Sequence, residues 1–587
     1  MSISHRNCML WAKGCLMKQS HEVRRSQLIN TYGVGGIIPI GDESFMVAGI
    51  DRWPVRTPNL HEPRLERALS VQGFVLPPAT DHGQDIPVVR FPRWMWCPGC
   101  KRIDEHRFFA SRDKNICGPC GMSLVPSRFV ICCANGHISD FPYFFWIHAG
   151  NKERTGGKHL MTMEMGGNTA SLRDILISCS CGVSKTMEHA FSRMALQGMK
   201  CKGERPWLTA DDKECDQIPR TLQRGASNVW FSITHSSISI PPWSEGAFKI
   251  LNRQWPALQH IPDDVLEHVI RGMKLAEGTP YSVAALVDAV KKRKAAANRA
   301  DQPLAAQIKE QEYEALCTGC EEVSKDQEFV CVKPEFVPPL ADKWFEQIML
   351  VKRLREVRVL QSFARITPPS AAAVFSRPPL FDSNPGWLPA IEVIGEGVFI
   401  RPRKNLLESW EQRTNVQQRA ERINVSYVRR CRSRKVEPDR VITARMLLLH
   451  SLSHSLITQW SLESGYPAAS LRERLYVSDS MAGILIYTAT SDSAGSLGGI
   501  VAQAQADRLD GALRQAIANS SWCSADPLCA EADSAGVDAL NLAACHACLL
   551  LPEVSCEEMN LLLDRAMLVG TPDDPSFGFF AALVKEA

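Results

Sequence analysis

Long apolar runs are missing from this sequence of 587 residues. A membrane helix needs about 18 consecutive apolar residues, and the nearest stretches, 481–487 and 544–551, are far shorter. A secretory leader is missing too, because charged or polar residues interrupt every apolar stretch near the N-terminus. We therefore expect no membrane partner and a cytoplasmic location.

The chain also has little net charge. Its 67 Lys and Arg nearly balance its 64 Asp and Glu, which leaves a formal charge of +3. Any attraction to nucleic acid must therefore come from local clusters. Hydrophobic residues make up 45% of the chain, which excludes global disorder, and at about 150 residues per domain the length predicts about four packed units.

Two catalytic motifs are absent. No G-x-x-x-x-G-K-[ST] loop occurs, so we expect no ATP hydrolysis by this chain alone. His450 and His454 have the spacing of metalloprotease ligands, but Ser451 stands where that motif has its glutamate base. Two core histidines that make helix-packing hydrogen bonds are the preferred interpretation, with a zinc hydrolase as the alternative. We expect no enzyme activity and no catalytic residue.

Cysteine, in contrast, is abundant, with 21 residues. In a reducing compartment, metal ligation is the leading explanation for cysteines at short spacing. Two C-x-x-C knuckles with Gly and Pro between the thiols can bring four thiolates around one tetrahedral Zn(II). Such a closed site is structural and leaves no open coordination position. These predicted ligands are Cys97, Cys100, Cys117 and Cys120.

Two further cysteine clusters are candidate zinc sites, and we expect one to three zinc ions in total. For the second cluster, buried free thiols are the alternative. The second cluster contains Cys179, Cys181, Cys201 and Cys215. The third contains Cys523, Cys529, Cys545, Cys548 and Cys556. Its preferred ligands are Cys529, Cys545, Cys548 and Cys556, with Cys523 or His546 as substitutes. Two incomplete sets are interpreted as non-metal: Cys133, His137 and His148, and Cys317, Cys320 and Cys331.

Positive charge is concentrated locally. Residues 413–440 contain nine Lys and Arg against three acidic residues, whereas residues 521–587 contain eleven acidic residues against Arg565 and Lys585. The first segment predicts contact with DNA phosphates, and the second suits a basic partner or a solvated face. The candidate DNA-binding residues of the first segment are Arg429, Arg430, Arg432 and Arg434.

Two other segments are candidates for phosphate contact. A basic stripe at mostly helical spacing predicts either a solvated helix face or a contact to the DNA backbone through Lys352 and Arg355. The glycine-rich turn 491–499 precedes a predicted helix, where free amides favour an anion near Ser493 and Gly495. A turn that is needed only for tight packing is the alternative. The stripe comprises Lys352, Arg353, Arg355, Arg358 and Arg365.

The residue pattern predicts a multidomain α+β protein with zinc-ribbon-like modules. A helix is predicted over 442–460 from its dense apolar band, a buried strand over 481–487, and a further helix that reaches about residue 519. The predicted divisions are an N-terminal strand and turn segment at 1–90 with 1–23 disordered, a zinc-ribbon-like module at 91–150, a second cysteine module at 151–260, a helical insertion at 261–340 and an α/β C-terminal domain at 341–587.

Several segments together resemble the DrmB family of the DISARM anti-phage system. They are residues 25–35, 222–228, 481–490, 492–499 and 544–550, followed by Asn560 and residues 563–565. The resemblance begins at about Arg24, so Met17 is a possible start of the protein.

The resemblance implies a C-terminal domain of the MrfA-like zinc-binding type. It also implies a non-motor subunit that partners a superfamily 2 helicase, DrmA-like, and helps it engage foreign DNA in phage defence. The family supplies no catalytic residue for this chain. The alternative is an interaction scaffold for a DNA-repair-type helicase that makes no DNA contact of its own.

Overall fold

The structure is a computed structural model of the chain. It describes residues 2–3, 21–55, 57–78, 85–109, 114–148, 159–166, 171–210, 214–241, 243–244, 246–252, 254–297, 304–322, 327–368, 377–433, 436–488, 499–532 and 540–586. Three of the candidate DNA-binding residues lie outside these ranges, namely Arg434, Ser493 and Gly495, as does most of the glycine-rich turn.

The N-terminal part consists of short strands and two short helices. One antiparallel sheet has the strand order β3-β4-β6. The elements are β1 (Ser2–Ile3), β2 (His21–Glu22), α1 (Gln27–Asn30), β3 (Ile37–Ile40), β4 (Glu43–Val47), α2 (Pro63–Leu69), β5 (Gly73–Val75) and β6 (Val88–Arg90).

The next part contains two further antiparallel sheets. Their strand orders are β14-β13-β12-β8-β7-β9 and β11-β10-β15. Aromatic side chains from α3 and the strands fill the core between them. The elements are β7 (Trp94–Trp96), β8 (Arg102–Glu105), β9 (Val125–Pro126), β10 (Phe129–Cys132), β11 (Ile138–Asp140), α3 (Tyr143–Ile147), β12 (Met161–Met165), β13 (Ile175–Cys179), β14 (Ser184–Thr186) and β15 (Arg220–Gln223).

A helical segment follows the strand β16 (Phe231–Ile238). Its helices bury a small core of their own, with Phe248, Leu251 and Leu266 at its centre. The insertion predicted at 261–340 contains three of these helices, and its boundaries stay a prediction. The elements are α4 (Gly246–Asn252), α5 (Trp255–Leu258), α6 (Leu266–Gly272), α7 (Val283–Ala297), α8 (Leu304–Thr318) and β17 (Val330–Val332).

The C-terminal part supplies the largest sheet and the largest core. The elements are α9 (Pro339–Trp344), β18 (Phe345–Ala364), β19 (Trp387–Pro402), α10 (Lys404–Glu411), α11 (Thr414–Ser433), α12 (Ala444–Ser464), β20 (Leu471–Val477), β21 (Ala482–Thr488), α13 (Gly499–Gln503), α14 (Ala506–Ser520), α15 (Ala566–Val569) and α16 (Ala581–Glu586).

The large sheet runs β16-β18-β19-β21-β20, with β17 beside β18 and β5 beside β19. Its pairs are antiparallel except for β5 with β19. Strand β18 is 20 residues long and carries the basic stripe except Arg365, which directly follows it. The helical face predicted for that stripe is therefore wrong. The sequence around it alternates Val357, Arg358 and Val359, the period of a strand, and two long neighbours pair with it.

Helix α12 lies inside the C-terminal core. Thr443 caps its start by accepting a hydrogen bond from the Met446 amide, and Gly465 ends it in the left-handed region at φ 73°. Apolar residues surround the helix on most sides, as expected for a helix that is buried all round. The predicted helix 442–460 is confirmed, and so is the strand 481–487, as β21. The single helix predicted to reach about residue 519 is divided into α13 and α14.

Candidate metal centres

The first set of converging ligands, site I, joins the two knuckles between β7 and β9. Its members are Cys97, Cys100, Cys117 and Cys120. Cys97 Sγ lies 3.2 Å from Cys120 Sγ, and Cys100 Sγ lies 3.8 Å from Cys117 Sγ. Burial raises the pKa of Cys117 to about 12, while hydrogen bonds from neighbouring thiols lower the pKa of Cys120 to about 7. Four soft ligands at tetrahedral spacing suit zinc.

The second set, site II, lies where β10 turns into β11. Its members are Cys133, His137, Cys201 and Cys215. His137 Nδ1 lies 3.4 Å from Cys133 Sγ and 3.7 Å from Cys201 Sγ. The pairing of β10 with β15 places Cys132 opposite Arg220, so the loop that carries Cys215 is brought to Cys133. Three thiols and an imidazole form a closed Cys3His set.

The third set, site III, lies between the end of α3 and the strands β12 and β13. Its members are His148, His159, Cys179 and Cys181. His148 Nε2 lies 3.3 Å from Cys181 Sγ, and His159 Nδ1 lies 3.2 Å from Cys179 Sγ. The pKa of Cys181 is lowered to about 6, mainly because its thiolate accepts a hydrogen bond from the Val183 backbone amide. Antiparallel pairing of β12 with β13 brings His159 to Cys179.

The second predicted cluster is therefore divided between two sites. Cys179 and Cys181 belong to site III, and Cys201 and Cys215 belong to site II. The residues that complete the two sets are Cys133, His137 and His148, which the sequence pattern was interpreted to leave without metal, and His159, which the sequence interpretation did not consider. The Cys-x-x-x-His spacing of Cys133 and His137 was the available signal. No sequence signal marked His159 as a ligand, because only strand pairing brings it to the cysteines.

The fourth set, site IV, follows α14. Its members are Cys523, Cys529, Cys545 and Cys548. Cys523 Sγ lies 3.5 Å from Cys545 Sγ, and Cys529 Sγ lies 3.8 Å from Cys548 Sγ. The preferred ligand set for this cluster is corrected, because Cys523 takes the place of Cys556. The Cys556 thiol instead faces α12, where it lies 3.2 Å from His450 Nε2.

Cys556 belongs to a fifth converging set with His450, His454 and Glu473. All four residues are buried. The two histidines do make hydrogen bonds in the core, as the preferred sequence interpretation expected, because each Nδ1–H donates to a backbone carbonyl. Their Nε2 atoms, however, face a carboxylate and a thiol, which sequence reasoning did not foresee.

The basic segment of α11 presents some of its predicted DNA-binding residues to solvent. Arg429 and Arg432 are exposed, whereas Arg430 is buried. The prediction for Arg430 is corrected, because a side chain buried against the core cannot reach a phosphate backbone. Two other arginines of the segment are half-buried and paired with carboxylates: Arg419 pairs with Asp564 at 2.6 Å, and Arg440 pairs with Glu558 at 2.6 Å.

The stripe on β18 is mostly buried. Lys352 is exposed, but Arg355 is 7% exposed and forms a 2.5 Å ion pair with Glu392. Glu62 and Glu328 lie within 3.7 Å of the same guanidinium. The DNA contact predicted for Arg355 is corrected, because three carboxylates surround this arginine and leave no positive face.

Arg358 and Arg365 are also structural. Arg358 donates to Glu356 at 2.6 Å. Arg365 donates to the carbonyls of Gly35, Gly136 and Val229. Its guanidinium therefore connects three separate segments of the chain. Arg355, Arg358 and Arg365 therefore stabilise the packing around the sheet, and Lys352 is the residue of the stripe that stays exposed.

Among the described residues, every helix is too short or too polar to cross a membrane.

Comparison with known proteins places these sites in recognised domains. Residues 24–231 match a domain of unknown function, DUF8724, and this range contains sites I, II and III. Residues 452–549 match the MrfA Zn-binding domain, which contains site IV. The zinc cofactor predicted from the cysteines is thereby confirmed, and the clusters are compatible with zinc ions. The α+β class with a C-terminal zinc-binding domain is confirmed as well.

One relative matches almost from end to end. The chain is 30% identical to the DISARM protein DrmB of Bacillus paralicheniformis over 567 residues, which are 92% of this chain and 99% of the relative. The match confirms the resemblance found in the sequence. The chain therefore belongs to the DrmB family of DISARM proteins.

Proposed function

We propose that this protein is a cytoplasmic, non-catalytic, zinc-stabilised subunit of a DISARM-type anti-phage complex. In this proposal it partners a superfamily 2 helicase and helps that helicase bind foreign DNA. The observation that carries the proposal is the match along nearly the whole chain to a protein named as part of DISARM. Hydrolysis of ATP is assigned to the helicase.

Zinc has a structural role in this proposal. Sites I to IV each offer four thiol or imidazole ligands, and such complete sets leave no open position for substrate. Each site ties a loop to the end of a strand or helix. Because the ligands come from separate segments, the ions would fix surfaces on which the partner or DNA can dock.

The DNA-binding surface is proposed to be the outer face of α11. Arg422, Arg429 and Arg432 are exposed there, and at about 100° per residue they fall within about 80° of the helix circumference. Such a row of arginines suits the phosphate backbone and carries no sequence information. Lys352 is the exposed residue that remains from the β18 stripe.

The test is the salt-dependent affinity of the purified helicase complex for a DNA duplex of random sequence. In the Arg429→Glu, Arg432→Glu double variant, loss of about two phosphate contacts should weaken binding by about tenfold or more and lower the salt slope by about 2. The matched control is the Arg271→Glu, Lys274→Glu variant. It makes the same change of charge on the exposed helix end around α6. Equal affinity of the two variants would refute this surface.

A second candidate function is a scaffold that contacts the helicase without touching DNA. It is favoured by two apolar side chains beside site IV, Trp522 at 70% exposure and Leu528 at 83%. Both adjoin site IV cysteines in the chain, so the zinc site would hold them outward for a protein partner. The same affinity measurement separates the two functions, because a scaffold predicts no effect of the α11 variant on DNA binding.

A further inference from the structure

The fifth set of converging side chains lies deep in the C-terminal core. His450 and His454 stand four residues apart on α12, so their side chains share one face of the helix. Glu473 comes from the facing strand β20, and Cys556 from the segment after site IV. The two histidines and Glu473 have no exposed surface, and Cys556 is 3% exposed. Four donors of these types rarely meet in a core without a cation between them.

The distances between the donor atoms fit a tetrahedral ion. His450 Nε2 lies 3.0 Å from Glu473 Oε1 and 3.2 Å from Cys556 Sγ, and His454 Nε2 lies 3.4 Å from Glu473 Oε1. Zinc bonds of about 2.0–2.3 Å in tetrahedral geometry place neighbouring ligand atoms about 3.3–3.8 Å apart. The four atoms are therefore close to the spacing of a zinc coordination sphere.

The imidazole rings are oriented as zinc ligands usually are. Nδ1 of His450 lies 3.1 Å from the Leu562 carbonyl, and Nδ1 of His454 lies 2.8 Å from the Leu549 carbonyl. Each Nδ1–H donates to its carbonyl, so in the neutral ring the lone pair is on Nε2, which faces the set. The Nε2 of His454 is buried and makes no hydrogen bond, although Glu473 is near. A lone pair that faces a carboxylate oxygen is unfavourable unless a cation lies between them.

The sulfur and the carboxylate are also supported as ligands. Cys556 Sγ accepts hydrogen bonds from the amides of Glu558 at 3.3 Å and Asn560 at 3.2 Å. The Ser453 hydroxyl donates to the other oxygen of Glu473, and the Glu557 amide donates to Oε1 at 3.2 Å. Such outer hydrogen bonds orient the ligands of metal sites.

We propose that His450, His454, Glu473 and Cys556 bind a zinc ion. The dication balances one carboxylate and one thiolate, so a neutral unit replaces two buried negative charges. Four protein ligands close the site, and its role is structural. It fastens α12, β20 and the segment at Cys556 to one another. The MrfA Zn-binding domain matches only residues 452–549, so His450 and Cys556 lie outside it.

The first test is the zinc content of the full chain, measured by inductively coupled plasma mass spectrometry. Cys556→Ala is expected to contain one zinc ion fewer per chain than the matched control Cys431→Ala. Cys431 is buried in α11 outside the five sets. A metal-free His450–Glu473 ion pair is the competing explanation, and it predicts equal zinc in both variants. Equal zinc would overturn the proposal.

The second test uses the wild-type protein, so it can be carried out even if Cys556→Ala fails to fold. Anomalous difference maps of crystals of the wild-type protein, collected on both sides of the zinc edge, should show a zinc peak between His454 Nε2 and Cys556 Sγ. Peaks at sites I to IV with none at this position would overturn the proposal.

Discussion

Glu356 shows how a single residue can carry a charge inside the sheet. It has no exposed surface, and burial alone would raise its pKa. Arg358 at 2.6 Å and Arg472 at 3.2 Å outweigh that effect and lower the pKa of Glu356 to about 2. Because Arg358 belongs to β18 and Arg472 to β20, the carboxylate joins separate strands. The sequence showed Arg358 only as part of a basic stripe, since its partners come from elsewhere.

We predict that Glu356→Gln destabilises the protein by about 3 kcal/mol, because two arginines lose their buried partner. The pKa in the folded state is below the ordinary value of 4.5. As the pH falls from about 4.5 to about 2, the unfolded chain takes up a proton that the folded chain does not, so stability is lost. Urea unfolding at several pH values, followed by tryptophan fluorescence, measures both effects.

A comparison of the wild type with the Glu356→Gln variant isolates the contribution of Glu356 to the pH dependence. Acid also protonates zinc ligands, but it does so in wild type and variant alike. The variant should therefore lose less stability over that pH window. A variant with the stability and the pH dependence of the wild type would contradict the account.

At the scale of elements, sequence reasoning succeeded where ligands are close in the chain. The four cysteines of site I, grouped from their spacing, do converge in the structure, and α12 and β21 were predicted within a few residues. It failed where strand pairing assembles the set. Sites II and III each combine a cysteine pair with partners from another strand or helix, and no local spacing reveals which strands are neighbours.

The regrouping of the second cysteine cluster predicts additive loss of zinc. Cys181→Ser should lose the ion of site III and Cys215→Ser the ion of site II, because each removes one of four ligands. The double variant should lose two ions per chain. Zinc content and native mass spectrometry check this, with Cys331→Ser as a control thiol that is buried outside the five sets. If one ion were shared, as the sequence grouping expected, the double variant would lose only one.

At the scale of the whole molecule, ion pairs formed on folding neutralise part of the uneven charge of the sequence. The basic segment 413–440 and the acidic C-terminal segment contact each other through the ion pairs of Arg419 with Asp564 and Arg440 with Glu558. Sequence counts could not separate these ion-paired arginines from the exposed Arg429 and Arg432. The positive charge that this segment leaves for a partner is therefore smaller than the sequence count indicates, and Arg429 and Arg432 carry part of it.

The central claim is that zinc holds separate segments of this protein in place. Native mass spectrometry of the full chain, combined with hydrogen exchange before and after a strong chelator, tests it most directly. We predict four zinc ions from sites I to IV, with a fifth from the buried set, and loss of exchange protection around each site when the metal is removed. A zinc-free protein with full exchange protection at these segments would contradict the account.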